Sequence, residues 1–262
     1  MRPLAELPTD ASRRVAYVLT DIDDTMTSGG RLGAAAYRAL ERLAESGRRV
    51  IPVTGRPAGW CDMIARFWPV DAVVGENGAF YFRYDHAARR MTRRHFLSDA
   101  ERAEGRARLD RLAEEILAAV PGARLAADQP YRLADLAIDF REDCGPLPRH
   151  DVDRIVAMFE AAGAVAKISS IHVNGWFGAW DKLAMTRILF RESYGIELDA
   201  AKDAAAFIGD SPNDAPMFEY FPLAVAVANI RPHLDRVAAL PAYVTEAEGG
   251  EGFAEFAEAL LR

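Results

Sequence analysis

The sequence is poor in the residues that build cross-linked or zinc-stapled scaffolds. It has only two cysteines, Cys61 and Cys144, and they lie too far apart in the chain to form a metal-binding pair. This scarcity argues against a disulfide framework and against a cysteine-ligated metal site. We expect two free thiols, which are typical of proteins in a reducing compartment.

Long apolar runs are also missing from the sequence. No segment approaches the roughly 18 consecutive apolar residues that a membrane-spanning helix needs. The first ten residues contain prolines and acids where a secretory signal would need an unbroken apolar stretch. We therefore expect no membrane partner and a cytoplasmic location.

The sequence also has no surplus of positive charge. The 262 residues include 32 Lys and Arg against 39 Asp and Glu, which gives a formal net charge of −7. This balance argues against nucleic acid as a partner. It does not argue against a small phosphorylated substrate, because a few cations can dominate one pocket. The length allows one large domain or two moderate ones, and nothing in the sequence indicates an oligomeric state.

Both ends of the chain alternate short apolar runs with helical patterns. Residues 15–20, 50–53 and 204–208 are short apolar runs, the first of them rich in strand formers, and each leads into a polar stretch. Between the first two runs, residues 32–43 repeat apolar side chains at helical spacing. Continuous apolar strands that alternate with amphipathic helices predict an α/β fold. Its core is a Rossmann-like parallel sheet covered on both faces.

The middle of the chain has a different pattern. Apolar side chains at 136, 138 and 140 alternate with charged ones at 135, 139 and 141, as in a strand with one solvated face. The stretch 98–101, Ser-Asp-Ala-Glu, is a capping box that opens a helix. Repeated strand-strand-helix units predict an antiparallel sheet with helices on one face. We expect this α/β unit to be a cap domain at 84–178, inserted into a core domain made of 1–83 and 179–262.

Two acids directly follow the first predicted strand, in the stretch 21–25, Asp-Ile-Asp-Asp-Thr. Ligands of open α/β sheets bind at the carboxyl ends of the strands, so Asp21 and Asp23 are expected to face one crevice. One carboxylate can attack phosphorus as a nucleophile. The other can protonate the leaving oxygen and then take a proton from water. Because two close carboxylates repel, such a site needs a cation, and oxygen ligands beside a phosphate favour Mg²⁺. A polar turn after a strand is the alternative interpretation.

Polar residues also follow the other predicted strands. Thr54 and Gly55 can hold a phosphate oxygen with a hydroxyl and an amide, although Thr-Gly-Arg is also a common turn. Asp210 would supply a third carboxylate to a metal site. None of these residues indicates a functional site by itself, because each type is common at the end of a strand. Only their occurrence together does.

Three more candidates lie near the start of predicted helices. Asp214 ends a Ser-Pro-Asn-Asp stretch that is an ordinary helix start. It therefore either caps that helix or holds the metal ligands in place without binding the metal itself. Asn213 can donate to the substrate or orient Asp21. Lys182 would neutralise phosphate charge if it were buried near Asp21, whereas a lysine at a helix start is usually solvated.

Together these residues resemble the four motifs of the haloacid dehalogenase superfamily. The motif residues, in chain order, are Asp21, Asp23 and Thr25 of Asp-x-Asp-x-Thr, Thr54 of the strand-closing Ser/Thr motif, Lys182 of the lysine motif, and Gly209, Asp210 and Asp214 of Gly-Asp-x-x-x-Asp. All four occur in the expected order and span nearly the whole chain. The insertion between the second and third motifs is similar to the α/β cap of subfamily IIB, the sucrose-phosphatase and phosphomannomutase branch. The stretch 76–78, Glu-Asn-Gly, also looks like that subfamily.

The resemblance implies a mechanism and a role for each residue. Asp21 would attack phosphorus and form an aspartyl phosphate, and Asp23 would act as general acid and then as general base. Mg²⁺ would be held by the carboxylates of Asp21 and Asp210 and the backbone carbonyl of Asp23, with Asp214 behind them. The phosphate-binding residues would be Thr54, Gly55, Lys182 and Asn213. The implied enzyme is a phosphatase, a phosphoric monoester hydrolase, that acts on a phosphorylated sugar or a similar small metabolite.

The chain departs from the family pattern at three places. Asp24 stands where the family often has Gly or Asn, and Leu183 follows Lys182 where Gly is common. The triplet 180–182, Trp-Asp-Lys, looks instead like the phosphomannomutase branch. A phosphohexomutase, which returns the phosphoryl group to a sugar and needs a bisphosphate activator, is therefore the main alternative. A phospho-acceptor signalling domain uses similar residues, but such domains are about half this length and place the acceptor Asp on a central strand.

Overall fold

The computed structural model describes residues 1–262 as a set of short strands and helices. The strands are β1 (Arg2–Pro3), β2 (Tyr17–Thr20), β3 (Thr27–Ser28), β4 (Arg31–Leu32), β5 (Arg49–Pro52), β6 (Val73–Gly75), β7 (Phe80–Asp85), β8 (Arg90–His95), β9 (Arg124–Leu125), β10 (Leu136–Asp139), β11 (Val165–Ile168), β12 (His172–Trp176), β13 (Ala205–Gly209), β14 (Leu223–Ala226) and β15 (Tyr243–Val244). The α-helices are α1 (Thr9–Arg14), α2 (Ala34–Glu45), α3 (Ala58–Phe67), α4 (Asp99–Ala119), α5 (Arg149–Ala161), α6 (Lys182–Leu189), α7 (Leu198–Ala201), α8 (Ala215–Tyr220) and α9 (Gly249–Leu261). One-turn helices at Glu76–Gly78 and Pro212–Asp214 also matter for the site.

A six-stranded parallel sheet forms the centre of the core. Its strand order is β1-β15-β14-β13-β2-β5. Consecutive residues of β2 point to opposite faces, so that Val18 joins one buried apolar cluster and Leu19 joins the other. Apolar side chains are therefore needed on both faces, which is why the strands are continuous apolar runs. The predicted α/β fold class is confirmed.

A smaller antiparallel sheet, β6-β7-β8, lies beside the parallel sheet. It is linked to it through a parallel bridge between Val53 and Val74. Phe80 and Phe82 of β7 are buried in the same apolar cluster as the core helices. The predicted domain boundary at residue 84 falls inside this hairpin, which lies on the core side. The division into two domains otherwise stays a prediction.

A four-stranded antiparallel sheet, in the order β11-β12-β10-β9, follows α4 in the middle of the chain. Its helices α4 and α5 pack through a separate apolar cluster that includes Leu109, Ile116, Ile155 and Phe159. We call the unit from α4 to β12 the cap. As predicted, α4 starts with a capping box, in which Ser98 Oγ accepts from the Glu101 amide.

Two further sequence-based expectations concern thiols and membranes. Cys61 and Cys144 are both free, and Cys61 is buried in the core. No helix in the chain combines the length and apolar character required to cross a bilayer.

Candidate active site

The nucleophile predicted from the sequence lies at the carboxyl end of β2. Asp21 is 5% exposed, and its backbone N–H donates to the carbonyl of Ile208 on the neighbouring strand β13. Lys182, the first residue of α6, is also buried, and its Nζ lies 2.7 Å from Asp21 Oδ1. The structure therefore places Lys182 in the interior beside Asp21, and not on the solvated surface that an isolated lysine would favour.

The fourth motif lies next to this ion pair, at the end of β13. Asp210 is buried, and Asp214 sits four residues later on the one-turn helix that precedes α8. The Asp214 carboxylate has three partners. Its Oδ1 accepts from Lys182 Nζ at 2.6 Å, and its Oδ2 accepts from the backbone N–H groups of Asp210 and Ser211. Asp214 thus caps the turn, as one interpretation of the sequence predicted, and it also positions Lys182. Its support of the metal ligands stays a prediction.

Three buried carboxylates crowd this end of the sheet. One oxygen each from Asp21, Asp210 and Asp214 lie within 4.8 Å of one another. Burial raises the pKa of Asp210 well above its ordinary value, and the carboxylates of Asp21 and Asp214 add to the rise. Burial also raises the pKa of Asp21 to about 7, although Lys182 opposes the change. Such crowding fits a bound cation, because a cation relieves the repulsion.

The oxygens that remain available in this cluster belong to Asp21 and Asp210. Both oxygens of Asp214 are already occupied, whereas Asp210 accepts only one long hydrogen bond, from Thr25 Oγ1 at 3.3 Å. An all-oxygen set of this kind suits Mg²⁺. The residues present therefore fit the predicted metal, with Asp21 and Asp210 as ligands and Asp214 behind them.

The second acid of the first motif has an unexpected partner. Arg56 donates to both carboxylate oxygens of Asp23, through Nε at 3.0 and 2.9 Å and through Nη2 at 2.8 Å. Its guanidinium also lies over the ring of Trp60, 4.3 Å from the ring centre. The neighbouring Asp24 has a φ of 53°, a left-handed conformation that Gly and Asn adopt readily. This conformation explains why the family often has Gly or Asn at that position.

The predicted phosphate-binding residues lie around Asp21 in different ways. Gly55 and Asn213 line a small cavity together with Asp21 and Asp23. Thr54 is fully buried, and its Oγ1 accepts from the backbone N–H of Arg56 at 3.0 Å. Its hydroxyl proton is therefore free to be donated to a ligand. The Asn213 amide donates to Asn77 Oδ1 at 3.2 Å, so Asn213 is oriented by the turn at 76–78.

The turn at Glu76–Gly78 joins the core to the cap. Glu76 is fully buried, and its carboxylate accepts from the backbone N–H of Ala58 at the start of α3. It also accepts from three successive backbone N–H groups of the cap, those of residues 133–135. Gly78, with a φ of 107°, lies against the backbone of Asp181, where a Cβ would come within 2.0 Å of the Asp181 carbonyl oxygen. Glycine at position 78 therefore allows the turn to contact Asp181, the N-cap residue of helix α6.

The cap closes over the strand ends that carry the acids. Its residues Arg132, His172 and Asn174 line the same small cavity as Asp21, whose volume is only about 10 Å³. Arg132 donates to the Gly55 carbonyl at 2.8 Å, and Glu142 accepts from Arg56 Nη2 at 2.6 Å. The structure therefore shows a closed arrangement in which cap and core contribute to one site.

Sequence analysis did not predict the partners Arg56, Glu76, Glu142 and His172. Arg56 stands in the Thr-Gly-Arg stretch that was considered as a turn, and Glu76 in the Glu-Asn-Gly stretch noted for its family likeness. Glu142 and His172 have no local pattern that marks them, because they reach the site only when the cap docks.

Comparison with known proteins agrees with this geometry. A family model described as haloacid dehalogenase-like hydrolase matches residues 192–256, which include the fourth motif. The chain is 27% identical over 252 residues to a phosphoglycolate phosphatase from Methanopyrus kandleri, covering 94% of this chain and 97% of the relative.

Solved structures share the fold over nearly the whole chain. A protein from Thermoplasma acidophilum superimposes with a TM-score of 0.71 and 21% identity, covering 94% of this chain and 98% of the other. Sucrose-phosphatase from Synechocystis, solved with sucrose and phosphate, gives a TM-score of 0.63 and 15% identity, covering 95% and 98%. The solved structures show that the fold is shared. The matched family model and the phosphatase relative support the predicted haloacid dehalogenase superfamily and a hydrolytic enzyme.

Proposed function

We propose that the chain is a magnesium-dependent phosphatase that hydrolyses a small phosphorylated metabolite through an aspartyl phosphate on Asp21. The observation that carries the proposal is the buried contact between Asp21 and Lys182, at 2.7 Å, beside the free oxygens of Asp210. A carboxylate held in this way can attack phosphorus while a fixed ammonium balances the charge of the phosphoryl oxygens. Relatives of the chain that are named as phosphatases support the same chemistry.

The first step is in-line attack by Asp21 on phosphorus while Asp23 gives a proton to the leaving oxygen. In the second step Asp23 takes a proton from water, and that water releases phosphate from Asp21. The role of Asp23 is supported by its position at the wall of the cavity that Asp21 also lines, where Arg56 holds it. When Mg²⁺ is bound by Asp21, Asp210 and the carbonyl of Asp23, it supplies positive charge that stabilises the phosphoryl group.

The phosphate-binding side of the site would comprise Lys182, Thr54, Gly55 and Asn213. Thr54 has a hydroxyl proton free, and Lys182 stays fixed by Asp214. A cap that closes over the bound substrate would exclude bulk water and favour a small leaving group. This shape favours a phosphorylated sugar or a similar small metabolite over nucleic acid, and a cytoplasmic location belongs to the same proposal.

The main alternative is a phosphohexomutase. The Trp-Asp-Lys triplet that raised it has a structural explanation in this chain. Asp181 is the N-cap of α6 and accepts from the Ala184 amide at 2.7 Å, and Trp180 stacks on Trp176 with ring centres 5.7 Å apart. The triplet therefore does not favour the mutase over the phosphatase.

A single assay tests the proposal. Sugar phosphates, polyol phosphates and nucleotides are supplied with Mg²⁺ or with a chelator, and both free phosphate and isomeric sugar phosphate are measured. We expect phosphate release that the chelator abolishes and that added Mg²⁺ restores, without isomer formation. Isomer formation that depends on a bisphosphate activator, with negligible phosphate release, would establish the mutase instead.

A further inference from the structure

The crevice between cap and core contains a carboxylate of the chain itself, that of Glu142. Glu142 Oε1 accepts from Arg56 Nη2 at 2.6 Å, and its Oε2 lies 3.0 Å from Nε2 of His172. Arg56 lies in the core and His172 is the first residue of β12 in the cap, and their side chains are only 4% and 3% exposed. Two buried nitrogen groups therefore converge on one carboxylate, which is the arrangement of a carboxylate-binding site.

Glu142 is more exposed than the two groups that it contacts. Its side chain is 25% exposed, and it belongs to a cap loop whose backbone is held by Asp139, which accepts from the N–H groups of residues 141–143. The His172 Nε2 atom makes no hydrogen bond of acceptable geometry despite its closeness to Glu142. A buried nitrogen thus faces the crevice without a proper partner.

The position of Glu142 relates it directly to the reacting atoms. Arg56 and His172 line the small cavity that contains Asp21, and Arg56 also lines, together with Glu142, a second cavity of about 280 Å³. Asp23, the proposed proton donor to the leaving oxygen, lines both. Outward rotation of the Glu142 side chain would therefore open a space that extends from the phosphoryl site past Asp23 to Arg56.

We propose that Arg56 and His172 bind a carboxylate on the leaving group, that Glu142 occupies this place in the empty enzyme, and that the substrate is a small phosphorylated hydroxy acid. The inference rests on the proposed phosphatase function and specifies its substrate class. One carboxylate replaces another on Nη2 of Arg56, while Asp23 and Asp128 stay paired with the same guanidinium, so its charge stays balanced throughout. A substrate that lacks the carboxylate gains no such contact and leaves Glu142 in place.

Matched substrates that differ only in this group test the proposal. We compare 3-phosphoglycerate with glycerol 3-phosphate, and phosphoglycolate with hydroxyethyl phosphate, by phosphate release with Mg²⁺. We expect kcat/KM to be about tenfold or more higher for the acid of each pair, because a charge-assisted hydrogen bond contributes at that level. Equal rates within each pair, or a preference for neutral sugar phosphates, would overturn the carboxylate site and leave the phosphatase intact.

Variants test whether the substrate displaces the Glu142 side chain or whether Glu142 stays paired with Arg56 and His172. Glu142→Gln removes the competing charge, so KM for the acids should fall several-fold while kcat and the values for the neutral partners change little. His172→Gln should raise KM for the acids selectively. Asp143→Asn alters the adjacent carboxylate in the same loop and is the matched control. If Glu142→Gln behaves like the control, Glu142 is not the occupant that we propose.

A binding measurement keeps this inference separate from the proposed function. The Asp21→Asn variant is titrated with 3-phosphoglycerate and with glycerol 3-phosphate in a calorimeter, with Mg²⁺ present. Binding of the acid that is at least about tenfold tighter supports the carboxylate pair even if the unaltered enzyme releases no phosphate from any compound. Tighter binding of the acid without any phosphate release would reject the phosphatase activity and would keep the carboxylate-binding site. Equal affinities, or no binding of either compound, would reject the pair.

Discussion

At the scale of single residues, Lys182 is the centre of the site. Its Nζ contacts Asp21 and Asp214 at 2.7 and 2.6 Å. Burial alone would lower the pKa of Lys182, but the two carboxylates raise it above the ordinary value, so the ammonium stays charged. In the proposed reaction Asp214 would therefore act through Lys182, whereas Asp21 and Asp210 carry the oxygens that remain available to a cation.

The first residue-scale prediction concerns Asp21→Asn. The amide keeps the shape of the side chain but cannot attack phosphorus, so phosphate release should fall at least about 100-fold. Circular dichroism should show that the fold is retained. Asp10→Asn, an exposed acid on α1, is the control and should keep full activity. A folded Asp21→Asn enzyme with more than a few per cent of the activity would show that another group is the nucleophile.

The second prediction ranks Asp210 against Asp214. Asp210→Ala removes a ligand oxygen, so the Kd for Mg²⁺, measured by calorimetry, should rise by tenfold or more. Asp214→Ala frees Lys182 and two backbone N–H groups, so it should lower kcat strongly and change the Kd for Mg²⁺ much less. Equal effects on metal affinity would contradict the different roles that we assign to the two acids.

At the scale of secondary structure, the turn at 76–78 connects the most elements. Through its carboxylate, Glu76 joins the start of α3 to residues 133–135 of the cap, and Gly78 contacts Asp181, the N-cap residue of helix α6. Glu76 and Asn77 both have positive φ values, 44° and 55°, which few side chains tolerate. The turn keeps this backbone because the surrounding hydrogen bonds hold it in place.

The prediction at this scale is that Glu76→Gln destabilises the protein. The new amide group would face backbone N–H donors that need an acceptor, and each buried donor without a partner costs about 1–3 kcal/mol. The free energy of unfolding, measured by urea denaturation, should fall by on the order of 3 kcal/mol. Glu104→Gln on α4 makes the same chemical change at an exposed position and should have almost no effect. Similar stabilities of the two variants would show that the Glu76 contacts contribute little.

At the scale of the whole molecule, sequence patterns predicted the core better than the contacts between its parts. The strands that carry Asp21, Thr54 and Asp210 are local apolar runs, and the side chains that follow them meet because parallel strands end at one edge. Strands of two residues, such as β1 and β9, are too short to show any periodicity.

The contacts between cap and core could not be predicted in the same way. Arg56 and Glu142 are 86 residues apart, and Glu76 is 57 to 59 residues from its partners in the cap. Single charged residues at such separations have no repeat that marks them as partners. The hairpin of β7 and β8 has clear strand character, but its sequence does not reveal that it packs on the core. The contacts between cap and core and the packing of this hairpin are determined by tertiary structure, which local sequence propensity does not encode.

The carboxylate of Glu76 has a mechanical consequence for the cap. Because its bonds to residues 133–135, and that of Arg132 to the Gly55 carbonyl, hold one side of the cap against the core, the cap cannot lift away as a whole without breaking them all. Opening is then a swing about an axis through this side. The rim away from these contacts travels furthest, so we expect substrate to enter and the dephosphorylated product to leave on that side.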